Sequence, residues 1–346
     1  MAFDSRISQL VREGDAMFSK RARLHSLWQH IAEQFCPQYG QFTRIVDPGE
    51  EYASKLTTSY PLLVQREFSS AISAMTRPRD IVWGRMGVEF EDDLDKDELQ
   101  WLEWATMVLR RAMYDRGSQF TRATKEADEG FGAFGQWPMT VEWDRMRGGM
   151  LYRSWHLKDV VWTEDYKGEI GRVDRNWCPD ARTLVATFRG TVGDKVKRIA
   201  LKEPGREIKC RRIMVRAEDV DPPSGQKRHR FDWVSIFVDL EHQTVLEETP
   251  ARTSMHVIPR WRTLPGSPYA YSPCTTIALP DARLLQAMTL TLLDAGERAA
   301  NPPMIGVSEA IRGDLNIYAG GFTAIDAEYD ERLGEVLRPM VQDKSG

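Results

Sequence analysis

The sequence predicts an α+β fold in which a helical region comes first and an antiparallel sheet follows. In the first third of the chain, apolar residues recur at the three- and four-residue spacing of helices. From Pro138 onward the period changes to two, in short segments separated by glycine turns, which is typical of a meandering antiparallel sheet. Over 346 residues, a composition with 42% hydrophobic and 28% charged residues is that of a globular chain with two or three domains.

The helical region is predicted to contain four helices. Residues 4–36 form the first, with Asp4 as its N-cap, and Pro37 and Gly40 end it. A second helix is expected over 61–75 and is followed by a short strand at 81–83. The other two are expected from the acidic block at 91–98 to about residue 116, and over 118–129. Carboxylates favour a helix start because they face the positive end of the helix dipole.

The sheet region is predicted from its alternating segments. These lie at 139–144, 150–156, 159–165, 169–177, 206–218, 230–240, 243–249 and 254–262, with a helical interlude within 180–200. The eleven tryptophans of the chain lie at helical or alternating positions, so we predict that they belong to the core.

The last quarter of the chain is predicted to hold one long helix at 281–300, with Pro280 at its first position. This helix is apolar around most of its circumference, whereas a one-sided surface helix shows a single apolar stripe. It must therefore be covered on several sides, by its own domain or by neighbouring subunits. Asn301-Pro302-Pro303 ends it, and the strand-like segments 304–307 and 316–326 can pair afterwards.

Several classes of protein are not supported by the composition. Cys36, Cys178, Cys210 and Cys274 never form C-x-x-C, so neither a zinc ribbon nor a disulfide scaffold is predicted. Uncharged apolar runs fall short of the ~20 residues that a bilayer requires, and the start of the chain lacks a signal-peptide pattern. The net charge of −4 argues against a polycationic nucleic-acid binder, and residues 266–346 carry 6 Lys and Arg against 11 Asp and Glu.

Two motifs could carry chemistry. Gly130, Gly132 and Gly135 spell G-x-G-x-x-G, but the predicted helix precedes the glycines and the strand follows them. A dinucleotide site needs the reverse order, so we predict a tight helix-to-strand turn. The acidic block at 91–98 leaves open an alternative function as a Mg²⁺-dependent nuclease, although consecutive carboxylates at a helix start are more typical of a solvated cap. No cofactor is expected.

A basic strand and hairpin at 209–230 leave open a second alternative, a DNA-binding adaptor. The cations that could contact phosphate there are Lys209, Arg211, Arg212, Lys227, Arg228 and Arg230. Steep salt dependence of duplex binding would favour this interpretation.

Several segments together resemble the portal proteins, or head-to-tail connectors, of short-tailed bacteriophages. They are the N-terminal helix with Trp28, Ile31, Phe35 and Pro37; the passage 71–78 with Trp83; the run 131–135 leading to Met139, Val141 and Glu142; and the strand pair around Asp165, Gly168, Val173 and Arg175. The most telling are Pro259-Arg260-Trp261, the turn Gly266-Ser267-Pro268-Tyr269-Ala270-Tyr271-Ser272-Pro273, and the aspartate-led helix from Asp281. Ala270 stands where the family usually has glycine, so that turn could differ in shape.

The resemblance implies a portal fold and a structural role without enzymatic activity. It implies a wing domain at 1–265, a connector and first stem helix at 266–300, and a clip region at 301–346. Family chains continue into a second stem helix, a tunnel loop and a crown, so we expect these elements to be missing from this sequence, which stops at Gly346. A ring of identical subunits, typically twelve, is implied at one capsid vertex of the virion.

The resemblance also implies partners. Double-stranded DNA passes through the ring, the terminase docks on it during packaging, and capsid, scaffolding and tail or adaptor proteins surround it; assembly takes place in the host cytoplasm and involves no membrane. We expect Leu285, Met288 and Leu292 to form the stem contact of the ring. We expect Ile305, Val307, Ile317 and Tyr318 to pack against the clip of the next subunit.

Overall fold

The computed structural model describes residues 4–47, 49–78, 81–89, 94–144, 146–222 and 230–300, and the backbone of 304–306 and 337–339. Its contacts divide the chain into two units. The first consists of Met1–Ser54 and Tyr60–Leu279, and the second of Lys55–Ser59 and Pro280–Gly346. The expected boundary between residues 265 and 266 concerns the parts of a portal rather than contact units, and it stays a prediction.

The first unit contains seven helices among its described residues: α1 Ser5–Arg21, α2 His25–Phe35, α3 Tyr60–Thr76, α4 Lys96–Met113, α5 Phe120–Phe134, α6 Ala181–Thr187 and α7 Asp194–Lys202. The long helix predicted over 4–36 is wrong in one respect, because a 3₁₀ turn at Ala22–Leu24 breaks it. The break allows α1 to lie on a sheet while α2 packs among α3 and α5. Arg21 anchors the break, since its guanidinium donates to the carbonyls of Leu157, Lys158 and Val160.

A five-stranded antiparallel meander forms the main sheet of the first unit. Its strands are β3 Val160–Glu164, β4 Ile170–Trp177, β5 Cys210–Arg216, β6 Trp233–Asp239 and β7 Thr244–Ala251, hydrogen-bonded in that order. A second sheet has the order β2–β1–β8, with β1 Met139–Asp144, β2 Gly149–Ser154 and β8 His256–Val257. The period-two segments are thus confirmed as strands, except that only His256–Val257 and Arg262 of the segment 254–262 lie in strands. The α+β class is confirmed as well.

The core of the first unit lies on both faces of the meander. On one face, Ile7 and Leu10 of α1 pack against valines and isoleucines of β5 and β6. Elsewhere α6 and α7 cover Ile208, Cys210 and Leu246. Gly14 lies where α1 crosses the sheet, and a Cβ there would overlap the carboxylate of Asp174. The helix therefore needs a glycine at this close approach.

The segment after α3 differs from its prediction, because residues 81–89 form neither strand nor helix. Side chains of α4 and of the residue following it hold this segment instead of a β ladder. Thr106 accepts from the Met86 amide at 2.9 Å, Tyr114 accepts from the Trp83 indole at 3.0 Å, and Arg110 donates to the Ile81 carbonyl at 3.2 Å.

The long C-terminal helix, α8, spans Pro273–Ala300, so the prediction that Pro280 opens it is wrong. The helix begins seven residues earlier because its first turns dock on the end of α5. Ser272 donates to the Gly132 carbonyl at 2.8 Å, and Thr275 donates to the Ala133 carbonyl at 2.5 Å. A short ladder before the helix pairs β9 Arg262–Thr263 with β10 Ala270–Tyr271. Pro280 lies inside the helix, where it cannot donate a backbone hydrogen bond.

The second unit adds one antiparallel pair among its described residues, β11 Met304–Gly306 with β12 Leu337–Pro339. Of the strand expected at 304–307, residues 304–306 are thus present, and they pair with 337–339. The expected pairing with 316–326 stays a prediction. Residues 316–326 lie outside the described part of the chain.

Candidate assembly surfaces

The part of α8 that belongs to the second unit exposes apolar side chains around much of its circumference. They are Leu284, Leu285, Met288, Leu290, Leu292 and Leu293. Every residue from Thr291 to Ala300 is exposed. A leucine that is moved from water into a packed interior contributes roughly 1.5–3 kcal/mol, so this surface carries a large unused driving force for association.

The predicted stem residues lie on this surface. Leu285, Met288 and Leu292 are exposed to 40%, 54% and 71% in the single chain. Of the predicted clip residues, Ile305 lies in β11, whose backbone alone is described, and Val307, Ile317 and Tyr318 lie outside the described residues. The contacts expected of both sets in a ring stay predictions.

Gln286 fixes the segment before α3 to α8 within the second unit. Its side-chain oxygen accepts from the amides of Thr57 and Thr58 at 2.8 and 2.9 Å, and its amide nitrogen donates to the Thr58 carbonyl at 2.9 Å. Three hydrogen bonds to one side chain hold this stretch of chain beside the helix. No local pattern in the sequence indicates this contact, because glutamine at a helix surface is ordinarily solvated.

The basic segment at 209–230 is divided between surface and interior. Lys209 and Arg230 are exposed, and Lys227 and Arg228 lie outside the described residues. Arg211 and Arg212 are buried, however, with 4% and 3% of each residue exposed. Arg211 pairs with Asp15 at 2.8 Å, and Arg212 pairs with Glu142. In the chain as folded, these two guanidinium groups are therefore not available to a phosphate.

The space between the meander and the β2–β1–β8 sheet concentrates positive charge. Arg175 stacks on Trp155 with its guanidinium carbon 3.7 Å from the ring centre, and burial followed by Arg212 lowers its pKa to about 9. His256 is enclosed nearby, and burial together with Arg212 and Arg175 holds its pKa well below the ordinary value. The cations here are structural groups of the interior.

The acidic block serves as a helix cap where it is described. Asp95 accepts from the amides of Asp97 and Glu98, and Glu98 accepts from the Asp95 amide at 3.0 Å, which completes a capping box. Glu91, Asp92 and Asp93 lie outside the described residues. Over the described ranges, no group of three or more His, Cys, Asp or Glu side chains is arranged to hold a metal ion.

The glycine motif is confirmed as a helix-to-strand turn. Helix α5 ends at Phe134, Gly135 adopts a left-handed φ of 73°, and β1 begins at Met139. A Cβ on Gly130 would overlap the Trp137 ring, and one on Gly135 would overlap the Tyr271 backbone. The glycines thus serve close packing.

The prediction that the tryptophans belong to the core is wrong for an exposed surface of α4. Trp137 and Trp162 are buried, but Trp101 and Trp104 of α4 are exposed to 58% and 60%. A groove of about 1310 Å³ runs between α3, α4 and α5, and Met107, Arg110 and Arg111 of α4 line it. Cations along its lining are Arg66, Arg77, Arg110, Arg111 and Lys125. The apolar spacing along α4 was visible in the sequence, but which face would be covered was not.

Comparison with known families gives one match. The model of a family described as bacteriophage head to tail connecting protein matches residues 8–343. A search of curated proteins finds no match. Across the described residues, none of the helices combines the length and the apolar character that crossing a membrane requires.

Proposed function

Because this chain belongs to the family of bacteriophage head-to-tail connecting proteins, we propose that its copies form a closed ring, with twelve subunits, at one vertex of the capsid. The family is structural, and its place is the portal of the virion. The coverage of the match, from residue 8 to residue 343, includes both contact units. Residues 1–265 are proposed as wing, 266–300 as connector and first stem helix, and 301–346 as clip.

The observation that carries the ring proposal is the exposed apolar surface of α8. A helix whose leucines point in several directions is stable in water only when neighbours cover it on more than one side. In a cyclic ring each helix has a neighbour on either side, and a heterologous contact repeated by rotation closes on itself. Leu285, Met288 and Leu292 are proposed at this contact. Ile305, Val307, Ile317 and Tyr318 are proposed at the contact between clips.

Charge supports a role as a passage for double-stranded DNA. Residues 266–346 carry 6 Lys and Arg against 11 Asp and Glu, and a ring multiplies this excess of negative charge. Each phosphate neutralised by a cation strengthens binding, so a wall that must let DNA slide is better built without many cations. We propose that DNA is packaged and ejected through the ring. Terminase docks on the ring first and tail proteins dock on it afterwards. Capsid and scaffolding proteins hold the ring during assembly in the host cytoplasm.

The ring is tested by negative-stain imaging and sedimentation of the protein with and without Leu285→Asp and Leu292→Asp. We expect closed rings from the unsubstituted chain and none from the double variant, because two unpaired charges at a buried contact cost several kcal/mol. The matched control replaces the same two leucines with methionine and should keep rings. Rings at normal yield from the Asp variant, or monomers only from the unsubstituted chain at every concentration, would contradict the proposal.

A further inference from the structure

Arg175 is a buried cation without an ion-pair partner among the described residues. Only 3% of the residue is exposed, and its Nε and Nη1 atoms have no hydrogen-bond partner in that part of the chain. The guanidinium carbon lies 3.7 Å from the ring centre of Trp155, which covers the face of the group but accepts none of its N–H donors in the plane. A buried charge is strongly destabilising when nothing compensates it, so these donors require a partner.

The register of the meander places a second positive charge beside Arg175. Arg175 of β4 is directly opposite Arg212 of β5, and like charges in such a cross-strand pair repel each other. Arg212 is itself satisfied, because Glu142 accepts from its Nη1 and Ser235 accepts from its Nε at 3.0 Å. Among the described residues, the carboxylate that reaches this pair is therefore used by Arg212, and one positive charge is left over.

The facing sheet supplies a further buried donor. His256 of β8 is directly opposite Thr140 of β1, and Glu142 follows two residues later on the same face of β1. Because Glu142 accepts from Arg212, this face meets the meander at the two arginines. His256 is 7% exposed, and neither of its ring nitrogens has a hydrogen-bond partner among the described residues. A neutral imidazole offers one N–H donor there.

We propose that a small monovalent anion such as chloride binds between the two sheets and accepts hydrogen bonds from Arg175 and His256. One unmatched positive charge requires one negative charge. Neighbouring charges do not supply it, because Arg153 adds a cation and Asp159, whose field reaches Arg175 without forming an ion pair, lies beside Lys158. Since both donors are buried, the site fits a single ion and not a segment of another chain. It lies within one copy, so it does not depend on the ring.

The test measures the stability of the full-length chain in sodium chloride and in sodium gluconate at the same ionic strength. Leu285→Asp and Leu292→Asp are included so that association of copies does not contribute. The urea midpoint should rise by a similar increment for each tenfold increase in chloride, because an anion that binds only the folded state stabilises it by mass action. Gluconate is too large for the site and should give no such increment. The folded protein should also broaden the chlorine nuclear magnetic resonance signal, and added bromide should sharpen it by displacing chloride.

Two variants and one control locate the anion. Arg175→Met should abolish both the chloride increment and the bromide-sensitive broadening. His256→Phe removes the second donor and should weaken chloride binding by ~10-fold or more. Arg189→Met removes an exposed arginine instead and should leave both measurements unchanged. Circular dichroism checks that each variant is folded, and if Arg175→Met does not fold, His256→Phe and the broadening by the parent protein decide.

Two results would overturn the proposal. Equal urea midpoints in chloride and gluconate, without broadening of the chlorine signal, would mean that ordered water satisfies Arg175 and His256. A chloride increment as large in Arg175→Met as in the parent protein would mean a general salt effect. Neither measurement needs rings, so failure of this proposal is distinguishable from failure of the ring proposal.

Discussion

Replacing Asp174 with asparagine should destabilise the first unit strongly, because it breaks a buried ion pair without changing volume. The Asp174 side chain is fully buried, and its two oxygens accept from Arg172 at 2.8 and 3.0 Å. The Arg172 side chain is 10% exposed and also donates to Glu13 and to the Leu10 carbonyl. These contacts tie β4 to α1, so the pair joins the sheet to the helix that covers it.

The magnitude follows from what the substitution leaves behind. Removal of one partner from a buried pair typically costs about 3–5 kcal/mol. Asp174→Asn leaves the Arg172 charge with the half-exposed Glu13 as its remaining ion-pair partner. We therefore expect the free energy of unfolding to fall by about that amount in urea titrations at a fixed protein concentration. Glu13→Gln is the matched control: the Glu13 side chain is 47% exposed, and its loss should cost no more than ~1 kcal/mol.

Two outcomes would refute this reasoning. A loss below ~1 kcal/mol for Asp174→Asn would mean that the buried carboxylate contributes no more than an exposed one. Equal losses for Asp174→Asn and Glu13→Gln would mean that Arg172 does not depend on its buried partner more than on its exposed one.

Two further predictions concern the α4 cap and pH. Asp95→Ala should lower the free energy of unfolding by about 0.5–2 kcal/mol in urea titrations, whereas Asp95→Asn should cost little because asparagine keeps the cap. Neither the unsubstituted chain nor these variants should show Mg²⁺-stimulated DNA cleavage. Cleavage by the unsubstituted chain that Asp95→Asn abolishes would favour the nuclease alternative. Burial lowers the pKa of His256 below its usual range and the pKa of His156 to about 4. Below about pH 6.5 the folded chain therefore binds fewer protons than the unfolded chain, and the free energy of unfolding should fall as the pH drops. The loss should approach ~1.4 kcal/mol per pH unit for each histidine, and His156→Gln should flatten the profile measured by urea titration; an unchanged slope would exclude His156 as a source.

The regular elements could be predicted because local patterns determine them. The apolar spacing within α3 and the alternation along β4 to β7 are properties of neighbouring residues, and the structure has these elements close to the expected bounds. The predicted start of α8 at Pro280 was wrong. Proline is common at the first position of a helix, but the hydrogen bonds of Ser272 and Thr275 to the end of α5 start this helix earlier. Contacts between distant segments carry no local signal.

The candidate surfaces also combine features that the sequence predicts with features that it does not. The sequence predicts that α8 is apolar around most of its circumference, and its leucines are exposed in the single chain. The burial of Arg211 and Arg212 could not be predicted from the sequence, because it depends on contacts with Asp15 of α1 and Glu142 of β1. The apolar spacing along α4 was visible, but the sequence could not say which face of the helix its own unit would cover.

The three hydrogen bonds of Gln286 have a consequence for biosynthesis. Thr57 and Thr58 leave the ribosome long before their partner, which follows 229 and 228 residues later. At about 5–20 residues per second, this delay lasts from roughly ten seconds to most of a minute. The exposed leucines of α8 emerge only after nearly all of the first unit has been made. This exposed apolar surface is thus translated last among the described helices, so it spends less time in solution as part of an incomplete chain.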